Sequence, residues 1–89
     1  MKDQEILNGL ERILRDLLSD DSIVLTMETK RDEVPNWDSS AYVTFIVAVE
    51  IEFGIKFRVA DVESFQNVGA IVQKVSVMLP TRERRPRYR

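Results

Sequence analysis

The sequence predicts a small all-α bundle with three main helices and one short helix, and three observations support this. Two segments carry apolar residues at helical spacing, and a third apolar segment follows residues that favour a helix start. With 89 residues, the chain has room for one domain with a single core. A composition of 44% hydrophobic and 31% charged residues is typical of globular chains.

The first helix is predicted from the segment QEILNGLERILRDLL. Its apolar residues recur at i, i+4, i+7, i+8 and i+11, which places them on one stripe of a helix. The members of this stripe are Ile6, Leu10, Ile13, Leu14 and Leu17. Gly9 costs about 1 kcal/mol relative to alanine, and burial of the stripe can offset that cost.

A long connection follows the first helix, at residues 19–37, and it shows no helical periodicity. A short β-prone patch lies within it, at residues 23–25. Connections of this length are unusual in compact domains unless they are functional or anchored. We therefore expect Ile23 and Leu25 to attach the connection to the core.

The next segment carries two conflicting patterns. From Val43 to Phe53 the residues alternate with a period of two, which suits a strand, and many are β-branched or aromatic. The same segment also contains a helical stripe. The members of that stripe are Tyr42, Phe45, Ile46, Val49 and Phe53. The residues alone leave strand and helix open.

The ends of this segment favour the helix. Asp38 is a good N-cap, and Trp37 before it can pack on Tyr42 as a hydrophobic staple. Gly54 suits the left-handed residue that ends many helices. We expect Trp37 and Tyr42 to serve packing rather than chemistry.

Two more helices complete the predicted bundle. One helical turn fits around residues 60–63, and the last helix starts after Asn67, a good N-cap. Pro80 ends this last helix. Its apolar stripe consists of Val68, Ile71, Val72, Val75 and Leu79.

The charge is unevenly distributed along the chain. Residues 1–79 carry 8 Lys+Arg and 14 Asp+Glu, whereas residues 80–89 carry 5 Arg and 1 Glu. We expect a folded acidic domain at residues 1–79 and a disordered basic tail at residues 80–89. The tail is either a solubilising terminus or an arm for an anionic partner. The acidic domain disfavours nucleic-acid binding and favours basic protein partners.

The residue types present exclude several functions. The chain has no cysteine and no histidine, which removes thiol chemistry, disulfides and the commonest general base and metal ligand. We therefore expect neither an enzyme nor a metal site. No stretch of about 18 apolar residues is present, and the start of the chain lacks the apolar core of a signal peptide. We expect a cytoplasmic protein with no membrane association.

The segments WDSSAYVTFIVAVEIEFGIKF and FQNVGAIVQKV, placed after a first amphipathic helix and a long loop, resemble acyl carrier proteins and peptidyl carrier domains. The resemblance covers residues 3–79. The carrier motif is Asp-Ser-Leu, and Asp38 and Ser39 match its first two places. Ser40 stands where the family has leucine, which weakens the hydrophobic contact that a modifying enzyme finds after the serine.

The resemblance implies that the protein carries acyl groups and does not catalyse. Ser39 would hold a covalent 4′-phosphopantetheine arm whose thiol carries acyl groups as thioesters, and Asp38 would help to present it. Expected partners are a phosphopantetheinyl transferase and the acyl-activating or acyl-transferring enzymes of a fatty-acid, polyketide or other specialised pathway. The domain is expected to act as a monomer. A serine at the start of a helix also suits an attached phosphodiester, because the helix dipole is positive there.

The second helix of carriers is usually acidic on its exposed side, but here it is mostly apolar. One stripe cannot bury every apolar residue, so part of this helix should face solvent. We expect partners to dock through apolar contact, with nearby carboxylates providing steering charge. The alternative is that the long loop covers these apolar residues. The predicted docking residues are Ser40, Val43, Val47, Glu50, Glu52, Asp61 and Glu63.

Other functions stay open on the sequence. An Asp-Ser pair before a helix is common for capping alone. A carrier-like domain that has lost modification could serve as an adaptor or scaffold, and the serine at position 40 keeps this alternative open. A small helical regulator that uses its basic tail is the third possibility.

Overall fold

A computed structural model describes residues 2–79, which fold into four α-helices. These are α1 (Asp3–Leu18), α2 (Ser39–Phe53), α3 (Val59–Ser64) and α4 (Val68–Met78), and a 3₁₀ turn (Arg31–Glu33) lies within the first loop. The residues from 2 to 79 contain no strand, which confirms the predicted all-α class. The predicted basic tail lies outside the described residues.

The core forms where α1 packs against both α2 and α4. Burial of these apolar side chains is the main contribution to folding, at about 25 cal/mol per Å² of apolar surface. The predicted stripes of α1 and α4 supply much of this core. The fully buried side chains are Ile6, Leu10, Leu14, Phe45, Val49, Val68, Ile71, Val72 and Val75.

The segment with conflicting patterns is a helix. Phe45, Ile46 and Val49 are buried on its inner side. Val43, Val47 and Ile51 are 58%, 47% and 77% exposed on its outer side, so the first loop does not cover them. The alternation of apolar residues reflects a helix that is apolar on both sides.

The helix ends predicted at Asp38, Gly54 and Asn67 are confirmed, whereas Pro80, predicted to end the last helix, lies outside the described residues. The Asp38 carboxylate accepts a hydrogen bond of 2.9 Å from the Ala41 N–H, and the Asn67 amide oxygen accepts one of 2.9 Å from the Ala70 N–H. Each bond satisfies a backbone donor that the first turn of a helix leaves free. Gly54 has φ of +66° and ends α2 in the left-handed conformation.

Two side chains of α1 form hydrogen bonds with the backbone of the first loop. Glu11 accepts a hydrogen bond of 3.0 Å from the Leu25 N–H, and the Arg15 Nε donates one of 2.8 Å to the Ile23 carbonyl. Glu11 and Arg15 are themselves paired at 3.3 Å, one turn apart on α1. Ile23 and Leu25 are buried, as expected from the sequence.

The same loop also caps α4. The Val68 N–H donates to the Thr29 carbonyl at 2.8 Å, and the Gly69 N–H donates to the Met27 carbonyl at 2.7 Å. These N–H groups belong to the first turn of α4 and have no partner within the helix. The loop is thus a structural link between α1 and α4.

We predict that Gly69→Ala destabilises the fold by about 1–3 kcal/mol, because this position has no space for a side chain. A Cβ atom at Gly69 would lie 2.6 Å from the Met27 carbonyl oxygen, a backbone atom that α4 needs as a partner. Urea unfolding followed by circular dichroism measures the change.

Gly9→Ala is the matched control. Its Cβ would lie 3.0 Å from the end of the Phe53 ring, which can move, and alanine favours the helix. We expect Gly9→Ala to stay within about 1 kcal/mol of the parent chain. Equal destabilisation by the two substitutions would show that the loop does not constrain α4.

Candidate functional site

Ser39 is the first residue of α2 and is exposed. Its hydroxyl makes no hydrogen bond to another residue within the described range. The neighbouring Asp38 carboxylate is engaged in capping the helix, at 2.9 Å from the Ala41 nitrogen. The turn therefore presents the Ser39 hydroxyl to solvent on a backbone that Asp38 holds in place.

The start of α2 favours a negative charge at Ser39. The N–H groups of the first helical turn point along the axis, and they carry the positive end of the helix dipole. Asp38 satisfies one of these donors and leaves others free. A phosphate ester on the Ser39 oxygen would lie within reach of these donors.

A cleft with a volume of about 940 Å³ opens beside Ser39. It lies between the first loop, α2, α3 and the start of α4. Its volume is near the upper end of the usual range for ligand sites, and its lining is mostly apolar. The lining includes Trp37, Ser39, Tyr42, Val43, Ile46, Phe57, Val59, Val62, Phe65 and Ile71.

Tyr42 holds α3 against α2 at this cleft. Its hydroxyl donates a hydrogen bond of 3.0 Å to the Val62 carbonyl, and the Arg31 guanidinium lies 5.3 Å from the centre of its ring. Burial raises the pKa of the Tyr42 phenol, and Arg31 partly opposes that rise. The phenol therefore stays protonated and able to donate at neutral pH.

An aromatic pair packs beside α3 and lines the cleft. This pair is not among the site residues predicted from the sequence. Phe57 and Phe65 flank the helix, with ring centres 5.3 Å apart in an edge-on arrangement. The Phe57 N–H donates to Glu50 at 2.7 Å, which fixes the turn after α2. The i, i+3 spacing of Val62 and Phe65 was a usable signal for Phe65, because it places two apolar side chains on one side of a short helical segment.

Trp37 forms the inner wall of the site. Its ring lies 6.1 Å from that of Tyr42 and 5.1 Å from that of Phe45, which confirms the predicted staple. The side chain is only 4% exposed. Its Nε1 atom is buried and has no hydrogen-bond partner among the residues described.

Two predicted docking carboxylates on α2 already have partners. Glu50 accepts the hydrogen bond from the Phe57 N–H, and Glu52 forms an ion pair of 3.2 Å with Arg12 on α1. Both members of the second pair are exposed, so its contribution to stability is small. Ser40 is exposed at the start of the same helix.

The two predicted carboxylates on α3 differ from each other. Asp61 accepts a hydrogen bond of 3.0 Å from the Arg58 N–H and lies 3.4 Å from the Lys74 ammonium. The Arg58 N–H lowers the pKa of the Asp61 carboxyl, and Lys74 adds to this effect. Glu63 is exposed and lies at the edge of the cleft.

Two features are absent from residues 2–79. No group of three or more acidic residues is arranged there to hold a metal ion. None of the helices in this range combines the length and the apolar character needed to cross a membrane.

The fold is similar to that of a solved carrier. The solution NMR structure of a holo acyl carrier protein from Geobacter metallireducens superposes with a TM-score of 0.79 and 33% sequence identity. The match covers 92% of the present chain and 94% of the other. No family model and no curated protein matches the sequence.

We predict that Tyr42→Phe lowers the free energy of unfolding by about 0.5–1.5 kcal/mol at pH 8, because the Val62 carbonyl loses its donor. The raised pKa of Tyr42 makes this contribution dependent on pH. It is fully present below the ordinary tyrosine pKa of about 10 and is lost as the pH rises through the higher pKa of the folded state.

Urea unfolding of both chains at several pH values between 8 and 11 measures this dependence. The parent chain should lose its advantage over Tyr42→Phe as the pH rises above about 10. Because other groups titrate equally in both chains, their difference isolates Tyr42. A difference that stays constant over this range would contradict the assignment.

Proposed function

This chain belongs to the acyl carrier protein family, and we propose that it carries acyl groups on a 4′-phosphopantetheine arm attached to the Ser39 hydroxyl. One observation carries the proposal: Ser39 is an exposed serine at the first position of α2, beside a capping aspartate and a large cleft. The solved relative is a holo carrier, which is consistent with a covalent arm here.

The residues at this position fit such a group. The free N–H groups at the start of α2 suit the phosphodiester, and the Ser39 oxygen is accessible to a modifying enzyme. Asp38 keeps the turn in shape through its bond to the Ala41 N–H. When bound, the arm supplies a thiol that holds acyl groups as thioesters.

The attachment step uses the Ser39 oxygen as nucleophile. A phosphodiester bond forms between Ser39 and the phosphopantetheine portion of coenzyme A while the pyrophosphate linkage of coenzyme A breaks. Adenosine bisphosphate leaves, and the hydroxyl proton passes to a base of the transferase. The carrier contributes the hydroxyl and its presentation, so no catalytic group of its own is required.

We further propose that the cleft shelters the acyl group between deliveries. Its volume of about 940 Å³ and its apolar lining suit a hydrocarbon segment. Tyr42 and Val62 join the two helices that border it, through the 3.0 Å hydrogen bond. Entry of a long acyl group would separate α3 from α2 at this bond.

The proposed partners are a phosphopantetheinyl transferase and the acyl-activating or acyl-transferring enzymes of a fatty-acid, polyketide or other specialised pathway. Residues 1–79 would act as the carrier domain, as a monomer in the cytoplasm, with residues 80–89 as a separate basic tail. The domain would work without nucleic acid or membrane.

The proposed docking surface combines apolar and acidic residues. Val43 and Val47 are exposed next to the site, and an apolar patch on a partner would bury them. Of the carboxylates, Glu63 lies at the cleft edge, whereas the others have contacts within the domain. The full set is Ser40, Val43, Val47, Glu50, Glu52, Asp61 and Glu63.

The proposed attachment predicts that Ser39 can be modified. The purified chain is incubated with coenzyme A, magnesium and a broad-specificity phosphopantetheinyl transferase, and intact mass is measured. We expect a mass increase of a single phosphopantetheine in the parent chain and in Ser40→Ala. Ser39→Ala should show none, because it lacks the nucleophilic oxygen.

The circular dichroism spectrum of each chain shows that it is folded. An unmodified but folded parent chain would contradict the proposal and favour the adaptor alternative. Loss of modification in Ser40→Ala, with Ser39→Ala still modified, would move the attachment point by one residue.

The proposed docking surface predicts an effect of a charge at Val47. Val47→Glu should change the free energy of unfolding by less than about 0.5 kcal/mol, because the side chain is exposed. The same substitution should slow acyl transfer from the partner enzyme, since it places a charge in an apolar contact.

Ser76→Glu is the matched control, because Ser76 is exposed on α4, which contributes no residue to the proposed docking surface. It adds the same charge and should leave the transfer rate nearly unchanged. Equal slowing by both substitutions would mean that net charge, and not apolar contact, governs docking.

A further inference from the structure

An arginine of the first loop borders the cleft beside the start of α2. Arg31 belongs to the 3₁₀ turn, is exposed, and lines the cleft together with Ser39 and Tyr42. Its guanidinium lies 5.3 Å from the centre of the Tyr42 ring. Within residues 2–79, the Arg31 side chain takes part in no hydrogen bond and no ion pair. Its N–H donors are therefore available to a ligand.

The charge of Arg31 is not neutralised by the carboxylates around it. Asp32 and Glu63 line the same cleft, yet neither forms an ion pair with Arg31. Other polar lining residues, Gln66 and Asn67, are neutral and cannot pair with a charge. The positive charge of Arg31 is therefore open to an anion that enters this side of the cleft.

The Tyr42 ring places the Arg31 guanidinium next to Ser39. Ser39 and Tyr42 are three residues apart on α2, and side chains at this spacing are neighbours, with Cβ atoms about 5–6 Å apart. Because helical side chains lean toward the N-terminus, the Tyr42 ring covers the turn that begins with Ser39. Its contact with Trp37, which precedes Ser39 by two residues, agrees with this direction. A cation on this ring thus lies beside the attachment point.

We propose that Arg31 is a positioning residue whose guanidinium pairs with the phosphodiester oxygens of an arm attached to Ser39. The planar fork of a guanidinium matches two oxygens of one phosphate, and such charge-assisted hydrogen bonds are stronger than neutral ones. The pair joins the first loop to α2 at the edge of the cleft and holds the base of the arm there. The inference rests on the proposed attachment at Ser39 and adds the cation that orients the attached group.

Lys30 provides the matched control for Arg31. It is adjacent in sequence, carries the same charge and lines the same cleft. In the part of the chain that the structure describes, its ammonium lies over no aromatic ring, so Tyr42 orients Arg31 and not Lys30. A lysine also offers a point charge in place of a planar fork. Lys30→Gln therefore removes the charge without removing the proposed pair.

The test compares each chain before and after attachment of phosphopantetheine. The parent chain, Arg31→Gln and Lys30→Gln are loaded by the transferase with coenzyme A, intact mass verifies loading, and thermal unfolding is measured at low ionic strength. We expect loading to change Tm by about 1–4 °C more favourably in the parent chain than in Arg31→Gln. Lys30→Gln should behave like the parent chain. Because each chain is compared with its own unmodified form, loss of the contact between Arg31 and Tyr42 does not enter the difference.

Nuclear magnetic resonance reports the pair directly. The Nε–Hε signal of Arg31 in the parent chain should move on loading, and the phosphorus signal of the loaded chain should differ between the parent chain and Arg31→Gln. Both displacements should shrink as salt is added, because salt screens an exposed ion pair. Arg31→Lys keeps the charge without the fork, so it should restore part of the change in Tm. A purely structural role of Arg31 would leave both signals in place.

An Arg31 signal that stays in place on loading would overturn the inference, and so would a loading effect that is the same in the parent chain and in Arg31→Gln. Equal loss of the effect in Arg31→Gln and Lys30→Gln would also overturn it, because a diffuse positive potential would then be sufficient. If Arg31→Gln resists loading, the Arg31 signal of the parent chain decides the question. Failure of the parent chain to gain mass would instead overturn the proposed attachment at Ser39.

Discussion

The attachment of the first loop to α1 and α4 is the contact on which the rest of the structure depends. Near its start, the loop backbone forms hydrogen bonds with the Glu11 and Arg15 side chains of α1. Further along, its carbonyl groups accept hydrogen bonds from the Val68 and Gly69 N–H groups of α4. Without these bonds, backbone polar groups of the loop and of the first turn of α4 would lack hydrogen-bond partners. Because the loop leads directly into Trp37 and Ser39, its path sets where α2 begins.

Helix α2 has three roles at three places. Its first turn presents Ser39 and offers free N–H groups to an anion. Its inner side, with Phe45 and Val49, completes the core against α1. Its outer side leaves Val43 and Val47 exposed, in line with a surface that meets other proteins. A helix that is apolar on both sides is costly in water, and a docking function would explain why it is kept.

The cleft is bordered by few polar contacts. Tyr42 links α2 to α3 by one hydrogen bond, and the Phe57–Phe65 pair packs beside α3. Such a short helix has little stability of its own, because helices of this length form only when packing supports them. The border at α3 is therefore the part of the cleft that can open at the lowest cost.

Much of this arrangement was determined by the sequence alone. The stripes of α1 and α4, the caps at Asp38 and Asn67 and the staple of Trp37 on Tyr42 depend on neighbours within about eleven residues, so their patterns are visible locally. The identity of α2 as a helix was left open locally, and packing of its inner side on α1 decided it. The cleft, the Phe57–Phe65 pair and the unpaired Trp37 donor join segments far apart in the chain. Only the tertiary structure decided them, because burial and hydrogen-bond satisfaction depend on which distant side chains meet.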